Sequence, residues 1–195
     1  GIGKSRLAEW LGQRAMEVGA ALLVRVTNHD GDGGEGVTRA LARAFGVQGL
    51  SPEVAARSLQ RVLRAHQADE PHEWNGLLEL IHPPPGRVEV RFSRREERYA
   101  VILRALLALG RSTDSAVARP IVLWIDDAQV SADALGFLNW FLRTGSPGPI
   151  LALLTVQDEA LRARRLENAL LATMSSRPEV RTLTGRPVRL RIPPL

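Results

Sequence analysis

The stretch PIVLWIDDAQ, residues 120–129, constrains the fold more strongly than any other part of this sequence. Its five consecutive apolar residues, 121–125, are typical of a strand that is buried on both faces, as in a parallel sheet covered by helices. Two carboxylates, Asp126 and Asp127, follow directly. Open α/β sheets bind ligands at the carboxyl ends of their strands. The stretch therefore predicts a parallel α/β sheet with acidic side chains at its ligand-binding edge.

The amino end of the chain, GIGKSRL, matches the second half of a phosphate-binding loop, G-x-x-x-x-G-K-[ST]. In such a loop, backbone N–H groups and a helix N-terminus hold the phosphates of a nucleotide. The residues expected to contact the nucleotide are Gly1, Ile2, Gly3, Lys4, Ser5 and Arg6. The first glycine of the pattern and the strand before it would precede Gly1. We therefore expect a fragment of a longer protein, lacking the first strand and half of the loop, that binds nucleotide weakly or not at all alone.

Lysine usage supports the assignment of the loop. Of 26 basic residues in the chain, 25 are arginine, and Lys4 is the only lysine. Such a bias is typical of a GC-rich genome in which lysine is kept where arginine does not serve. A phosphate-binding loop is one such position, because a compact ammonium on a flexible stem must reach the β- and γ-phosphates.

The two motifs complement each other and occur in the chain order of one nucleotide site, with about 120 residues between them. A buried strand ending in two aspartates is a Walker B pattern. Asp126 is expected to hold Mg²⁺ together with the Ser5 hydroxyl, and Asp127 to orient the attacking water. The alternative is that both aspartates only cap the following helix, and the presence of the first motif favours the catalytic interpretation.

A further apolar stretch, PILALLTV at residues 149–156, predicts a neighbouring strand. Thr155 and Gln157 lie at its carboxyl end, where a polar residue of such ATPases senses the γ-phosphate. The same two residues could equally begin the helix expected from Asp158. Both interpretations remain open at this stage.

The remaining pattern alternates helices and strands, which is typical of an α/β fold. A capping box from Ser93 to Glu96 predicts a helix that continues to Gly110. Residues 66–92 are less regular. The other predicted elements are a first helix with apolar positions Leu7, Trp10, Leu11, Ala15 and Val18, helices over 37–45, 52–65 and 158–174, and strands over 21–26 and 188–192.

On GIGKSRL, IVLWIDDAQ, LALLTV and the closing VRLRIPPL, the chain resembles the signal-transduction ATPases with many domains (STAND) and their AAA-type, origin-recognition-like relatives. The resemblance covers nearly the whole chain. It implies a three-layer P-loop NTPase of the ASCE type with parallel sheet order 5-1-4-3-2. Residues 1–195 would be a partial ATPase core whose lid and flanking signalling domains lie elsewhere. It also implies ATP and Mg²⁺ as cofactors.

The resemblance implies a switch module in large bacterial signalling or transcription regulators, most similar to the ATPase that follows a serine/threonine kinase domain. Two positions depart from the family pattern. Val130 stands where the family usually has tryptophan, and Gln157 where it usually has arginine. Loss of that arginine would weaken γ-phosphate sensing, so slow hydrolysis is expected.

Three functions remain open: an ATP-binding, slowly hydrolysing switch, a nonenzymatic nucleotide-binding or interaction module, and a DNA-associated origin-binding-type ATPase. The net charge of +5 and the arginine-rich residues 181–191 are the support for the third. The expected partners are other domains of the same protein (kinase, lid, helical repeats or effector) and further copies of the chain.

Composition excludes other classes of protein. The chain has no cysteine, which excludes disulfides and thiolate metal sites. No apolar run reaches the roughly 18 residues of a membrane span. We therefore expect no membrane partner and a cytoplasmic location.

Overall fold

The computed structural model describes residues 3–27, 36–65, 71–82, 92–111, 118–145 and 148–176. Within these ranges the fold is α/β, with three parallel strands in one sheet. The strands are β1 (Leu22–Val26), β2 (Ile121–Ile125) and β3 (Ile150–Leu154). The helices are α1 (Lys4–Glu17), α2 (Gly36–Ala44), α3 (Pro52–Ala65), α4 (Pro71–Ile81), α5 (Arg95–Gly110), α6 (Ala132–Thr144), α7 (Asp158–Arg162) and α8 (Arg165–Ser175), with a 3₁₀ turn at Ala128–Val130.

The sheet has the order β1-β2-β3, and all five residues of the central strand β2 are buried. Val26 is paired with Ile125, and Ile125 with Leu154, so the carboxyl ends of the three strands lie level at one edge. The prediction of a parallel α/β sheet is confirmed. The order 5-1-4-3-2 that the resemblance implies needs two further strands and stays a prediction. The strand expected over 188–192 lies outside the described residues.

The two faces of the sheet are packed differently. Val24, Leu123 and Ile125 belong to the main core, which continues into α2, α5 and α6. On the opposite face α1 lies against β1, and Gly12 allows the close approach. A Cβ added there would lie 2.7 Å from Cδ2 of Leu23. This contact sets the position of α1, whose first residues consequently lie near the carboxyl edge of the sheet.

The helix predicted after the loop is confirmed as α1, but its large apolar side chains are exposed. Leu7 is 50% exposed, Trp10 59% and Val18 67%, whereas the buried residues of α1 are the small Ala8 and Gly12. Small residues therefore make the contact with the sheet. The apolar spacing correctly predicted a helix, while its apolar stripe faces away from β1.

Two further helices agree closely with the sequence patterns: α2 begins one residue before the predicted 37–45, and α3 has the predicted bounds. The interpretation of residues 66–92 as less regular was wrong, because α4 lies within them. Pro71 at the first position of α4 is the signal that was missed, since proline favours that position. None of the described helices is long and apolar enough to cross a bilayer.

The predicted capping box is not formed, because the N-cap position is Arg94, which makes no side-chain capping bond. The helix α5 begins at Arg95, and the backbone N–H of Ser93 donates to Oε2 of Glu97, at 3.0 Å, rather than to Glu96. The helix predicted over 158–174 is two helices. Arg164 leaves the helical conformation, with φ −113° and ψ 89°, and its carbonyl accepts the N–H of Asn168 in the first turn of α8.

Gly110, which closes α5, is required by a backbone contact. A Cβ there would lie 2.8 Å from the carbonyl oxygen of Arg119, whose own N–H donates to the Gly110 carbonyl at 2.7 Å. We expect Gly110→Ala to lower the free energy of unfolding by about 1–3 kcal/mol, because the backbone must shift to admit the methyl group. Denaturation followed by tryptophan fluorescence measures this loss. Gly76→Ala is the control, since its Cβ would meet side chains and not backbone, namely Val101 at 3.3 Å and Phe92 at 3.7 Å.

Candidate functional site

The predicted loop and the predicted acidic strand end meet at the carboxyl edge of the sheet. Ser5, in the first turn of α1, donates from Oγ to Oδ1 of Asp126, at 2.8 Å. The two residues are 121 positions apart in the sequence. They meet because α1 packs on the sheet with its N-terminus toward the edge at which β2 ends.

Asp126 is the centre of a hydrogen-bonded cluster. It is 8% exposed, and it also accepts Thr155 Oγ1 on Oδ1, at 2.6 Å, and Arg25 Nη2 on Oδ2, at 2.7 Å. Burial by itself raises the pKa of Asp126, but the hydrogen bonds from Thr155, Arg25 and Ser5 outweigh it, so the pKa lies below its usual value. The carboxylate is therefore charged at neutral pH, and it holds a fixed orientation.

Thr155 joins the ends of β2 and β3. Its buried hydroxyl donates to Asp126 and accepts the backbone N–H of Asp127, at 3.1 Å. Its own N–H donates to the carbonyl of Ile125, at 3.1 Å. The sequence left open a role for Thr155 as a γ-phosphate sensor. In the structure its hydroxyl is bonded to the Asp126 carboxylate, and the sensor role stays a prediction.

Asp127 has a left-handed backbone conformation, with φ 49° and ψ 51°. Residues other than glycine rarely adopt this region, and such residues concentrate at functional sites. Asp127 precedes the 3₁₀ turn but makes no capping hydrogen bond with its side chain. Its Oδ1 instead accepts Gln129 Nε2 and Gln157 Nε2, each at 3.1 Å. The Asp127 side chain therefore does not act as a cap of this turn, and its catalytic role stays a prediction.

Gln129 is a site residue that the sequence analysis did not single out. It is 3% exposed, and its two amide atoms connect different parts of the site. Nε2 donates to Asp127, and Oε1 accepts the backbone N–H of Gln157, at 3.1 Å. An amide two positions after the second aspartate, in the stretch DDAQ, was the available signal.

Gln157 combines the two possibilities that the sequence left open. It occupies the N-cap position of α7, so it does begin the helix, yet its side chain makes no capping bond there. The side chain turns toward Asp127 instead.

Arg25 is the second residue that was missed, although it is the one charge within the strand LLVRV. It lies on the α1 face of the sheet, with its guanidinium carbon 4.1 Å from the centre of the Trp124 ring. Arg43 on α2 donates to the Arg25 carbonyl, at 2.9 Å. Burial and the neighbouring charges of Arg25 and Arg39 lower the pKa of Arg43, which indicates a concentration of positive charge beside the site.

The other predicted loop residues lie at the start of α1. Lys4 is its half-buried first residue, and its side chain makes no hydrogen bond or ion pair within the described ranges. Gly3, with φ 82°, occupies the N-cap position and is exposed, as is Arg6. Gly1 and Ile2 lie outside the described residues, as do the arginines of residues 181–191.

The oxygen atoms at this edge of the sheet include ligands of the kind that Mg²⁺ binds. In the part of the chain that the structure describes, no cluster of three or more His, Asp or Glu side chains could hold a metal. Mg²⁺ in nucleotide sites does not need one, because it is bound by one or two protein oxygens, water and substrate phosphates. Ser5 Oγ and Asp126 Oδ1 are such oxygens and already lie together, so the residues fit this kind of site.

Comparison with known proteins gave no match. No family model, curated protein or solved structure matches this chain. The functional assignment therefore depends on the motifs and on the geometry at the carboxyl edge of the sheet.

Proposed function

We propose that this chain is the core of a P-loop ATPase of the AAA/STAND type, which binds ATP and Mg²⁺ and hydrolyses ATP slowly. The observation that carries the proposal is the 2.8 Å hydrogen bond from Ser5 to Asp126. It brings the end of the GKS motif onto the first aspartate of the acidic strand end, which is the pairing that Mg²⁺-nucleotide sites of P-loop proteins require.

Each residue of the site has a distinct role in this proposal. Ser5 and Asp126 would hold Mg²⁺, which when bound neutralises charge on the β- and γ-phosphates. Lys4 and the backbone N–H groups at the start of α1 would bind the phosphates, favoured by the positive end of the helix. Thr155 keeps the Asp126 carboxylate oriented.

The surroundings of Asp127 support a slow rate of ATP hydrolysis. A general base or water-orienting carboxylate must point a free oxygen toward water. Oδ1 of Asp127 is occupied by the amides of Gln129 and Gln157, which leaves Oδ2 for that role. Gln157 is uncharged where the related ATPases usually have an arginine, so less positive charge stabilises the developing phosphate charge. We therefore expect this arrangement to bind ATP but to hydrolyse it slowly.

The switch role follows from where the phosphate-binding groups lie. Lys4 and Ser5 are both on α1, which carries an exposed stripe of Leu7, Trp10 and Leu11. ATP bound at the start of α1 would favour one position of this helix relative to neighbouring domains. The shift is limited by the difference in ATP affinity between the two arrangements.

A nonenzymatic nucleotide-binding module is the second candidate, and one observation favours it. Two amide donors on Oδ1 of Asp127 hold this carboxylate in the fold and compete with water for it. ATP turnover by the full-length protein distinguishes the two candidates.

Asp126→Asn tests the proposed site directly, because the amide keeps the shape and removes the charge that attracts Mg²⁺. We expect Mg²⁺ to strengthen binding of a non-hydrolysable ATP analogue to the wild-type full-length protein, and this gain to fall by about tenfold in the variant. Isothermal titration calorimetry with Mg²⁺ and with EDTA measures the gain. Asp133→Asn is the matched control, since Asp133 is a mostly buried carboxylate on α6, ion-paired with Arg98 at 3.3 Å. An equal Mg²⁺ gain in Asp126→Asn and wild type would place the metal elsewhere.

A further inference from the structure

Arg25 occupies the oxygen of Asp126 that is not bonded to Ser5 and Thr155. Its Nη2 donates to Oδ2 at 2.7 Å, whereas the two hydroxyls donate to Oδ1. The Asp126 side chain is 11% exposed and the Arg25 side chain 38%, so this ion pair is partly shielded from water. Charge-assisted hydrogen bonds of this kind are the stronger ones in proteins.

The position of Arg25 is fixed by stacking. Its guanidinium lies over the fully buried Trp124 ring, at 4.1 Å from the ring centre. Trp124 and Arg25 are register partners on the neighbouring strands β2 and β1. The sheet therefore holds a permanent positive charge beside the carboxylate to which a divalent cation would bind.

Arg25 also has a second acidic neighbour. Nη1 lies 3.6 Å from Oε1 of Glu9 on α1, and the Glu9 side chain is 47% exposed. This contact is longer and more exposed to solvent than the one with Asp126. The guanidinium thus has one strong and one weak acidic partner, on β2 and α1 respectively.

We propose that Arg25 is a tethered competitor of the divalent cation for Asp126, and that Glu9 receives the guanidinium when the cation binds. The inference rests on the proposed function for the identity of the ligand, but its test does not require nucleotide. A metal held on Oδ1 would draw charge from the carboxylate, weaken the bond from Arg25 to Oδ2 and so favour the pairing of Arg25 with Glu9. The occupancy of the site would in this way be communicated to α1.

The test uses Mn²⁺ alone as the probe, with bound metal measured from the loss of the free-ion electron paramagnetic resonance signal. Arg25→Met keeps an apolar stem over Trp124 and removes the charge. We expect it to bind Mn²⁺ about tenfold more tightly than the wild-type full-length protein, because the competing charge-assisted bond is gone. Asp126→Asn in the Arg25→Met background should abolish the gain. Arg14→Met is the matched control, since it removes one arginine charge of α1 that pairs with Glu17 on the exposed surface.

Glu9→Gln provides a second measurement, in which Mn²⁺ affinity is expected to change in the opposite direction. Without its alternative partner the guanidinium leaves Asp126 less readily, so Mn²⁺ affinity should fall by about two- to threefold. In the Arg25→Met background the same substitution should have no effect. Because Glu9 is exposed, this variant tests the proposal even where Arg25→Met fails to fold.

The outcomes separate this inference from the proposed function. Equal Mn²⁺ affinity of wild type and Arg25→Met, or a decrease in the variant, overturns the role of Arg25 even where ATP binds. A tenfold gain that depends on Asp126, in a protein that binds no ATP analogue, supports the competition and overturns the ATPase assignment.

Discussion

Lys4→Ala is expected to abolish ATP binding by the full-length protein, with a loss of affinity of at least about 100-fold. In the proposed site the ammonium is the positive charge that reaches the β- and γ-phosphates. The Lys4 side chain makes no hydrogen bond or ion pair within the described part of the fold, so its removal leaves no buried partner unsatisfied. The expected loss is therefore one of binding and not of stability. Isothermal titration calorimetry with a non-hydrolysable ATP analogue measures the affinity.

Two controls make the Lys4 result interpretable. Arg14→Ala removes a positive charge farther along α1 and should change the affinity by less than about twofold. The denaturation midpoint of Lys4→Ala should equal that of the wild type. Unchanged ATP affinity in Lys4→Ala would show that the GKS motif does not bind phosphate and would contradict the proposed function.

Asp127→Ala is expected to retain ATP binding and to lose hydrolysis, with turnover reduced by about 100-fold or more, because the side chain that orients the attacking water is gone. Asp127→Asn is the sharper version of this change. Asparagine tolerates the left-handed conformation of this position, with φ 49°, and its carbonyl oxygen can still accept the amides of Gln129 and Gln157. Turnover of radiolabelled ATP by the full-length protein measures the rate, and calorimetry measures binding.

Hydrolysis at the wild-type rate in Asp127→Asn would contradict the role given to this carboxylate. Loss of ATP binding in both Asp127 variants would instead indicate that the carboxylate supports the structure of the phosphate site. Absence of turnover in the wild type itself, with ATP still bound, would favour the nonenzymatic module.

The sequence patterns predicted the elements of this fold where the pattern is local. The uninterrupted apolar run of β2 indicated a buried strand, and the helix predicted over 52–65 has the bounds of α3. The errors arose where a weak local signal was read alone. Pro71 begins α4 although the surrounding residues 66–92 are less regular, and Arg164 interrupts an apolar pattern that fits one helix as well as two.

The sequence likewise indicated only some of the residues of the candidate site. The sequence indicated Ser5, Asp126 and Asp127, because their motifs are short and each residue type suits a phosphate or metal site. It left the role of Thr155 open and missed Gln129 and Arg25. A hydroxyl or amide in a short apolar context has several possible partners, and the sequence does not state which one it meets.

The sequence by itself indicated a buried strand ending in carboxylates and a segment GIGKS whose lysine and serine suit a phosphate site. Tertiary structure alone decided that Asp126 receives hydrogen bonds from Ser5, Arg25 and Thr155, which are 121, 101 and 29 positions away in the chain. Strand order and register set these contacts, because a shift of one residue in a strand moves each side chain to the opposite face of the sheet. Arg25 reaches Asp126 only because β1 lies beside β2 in a register that pairs it with Trp124.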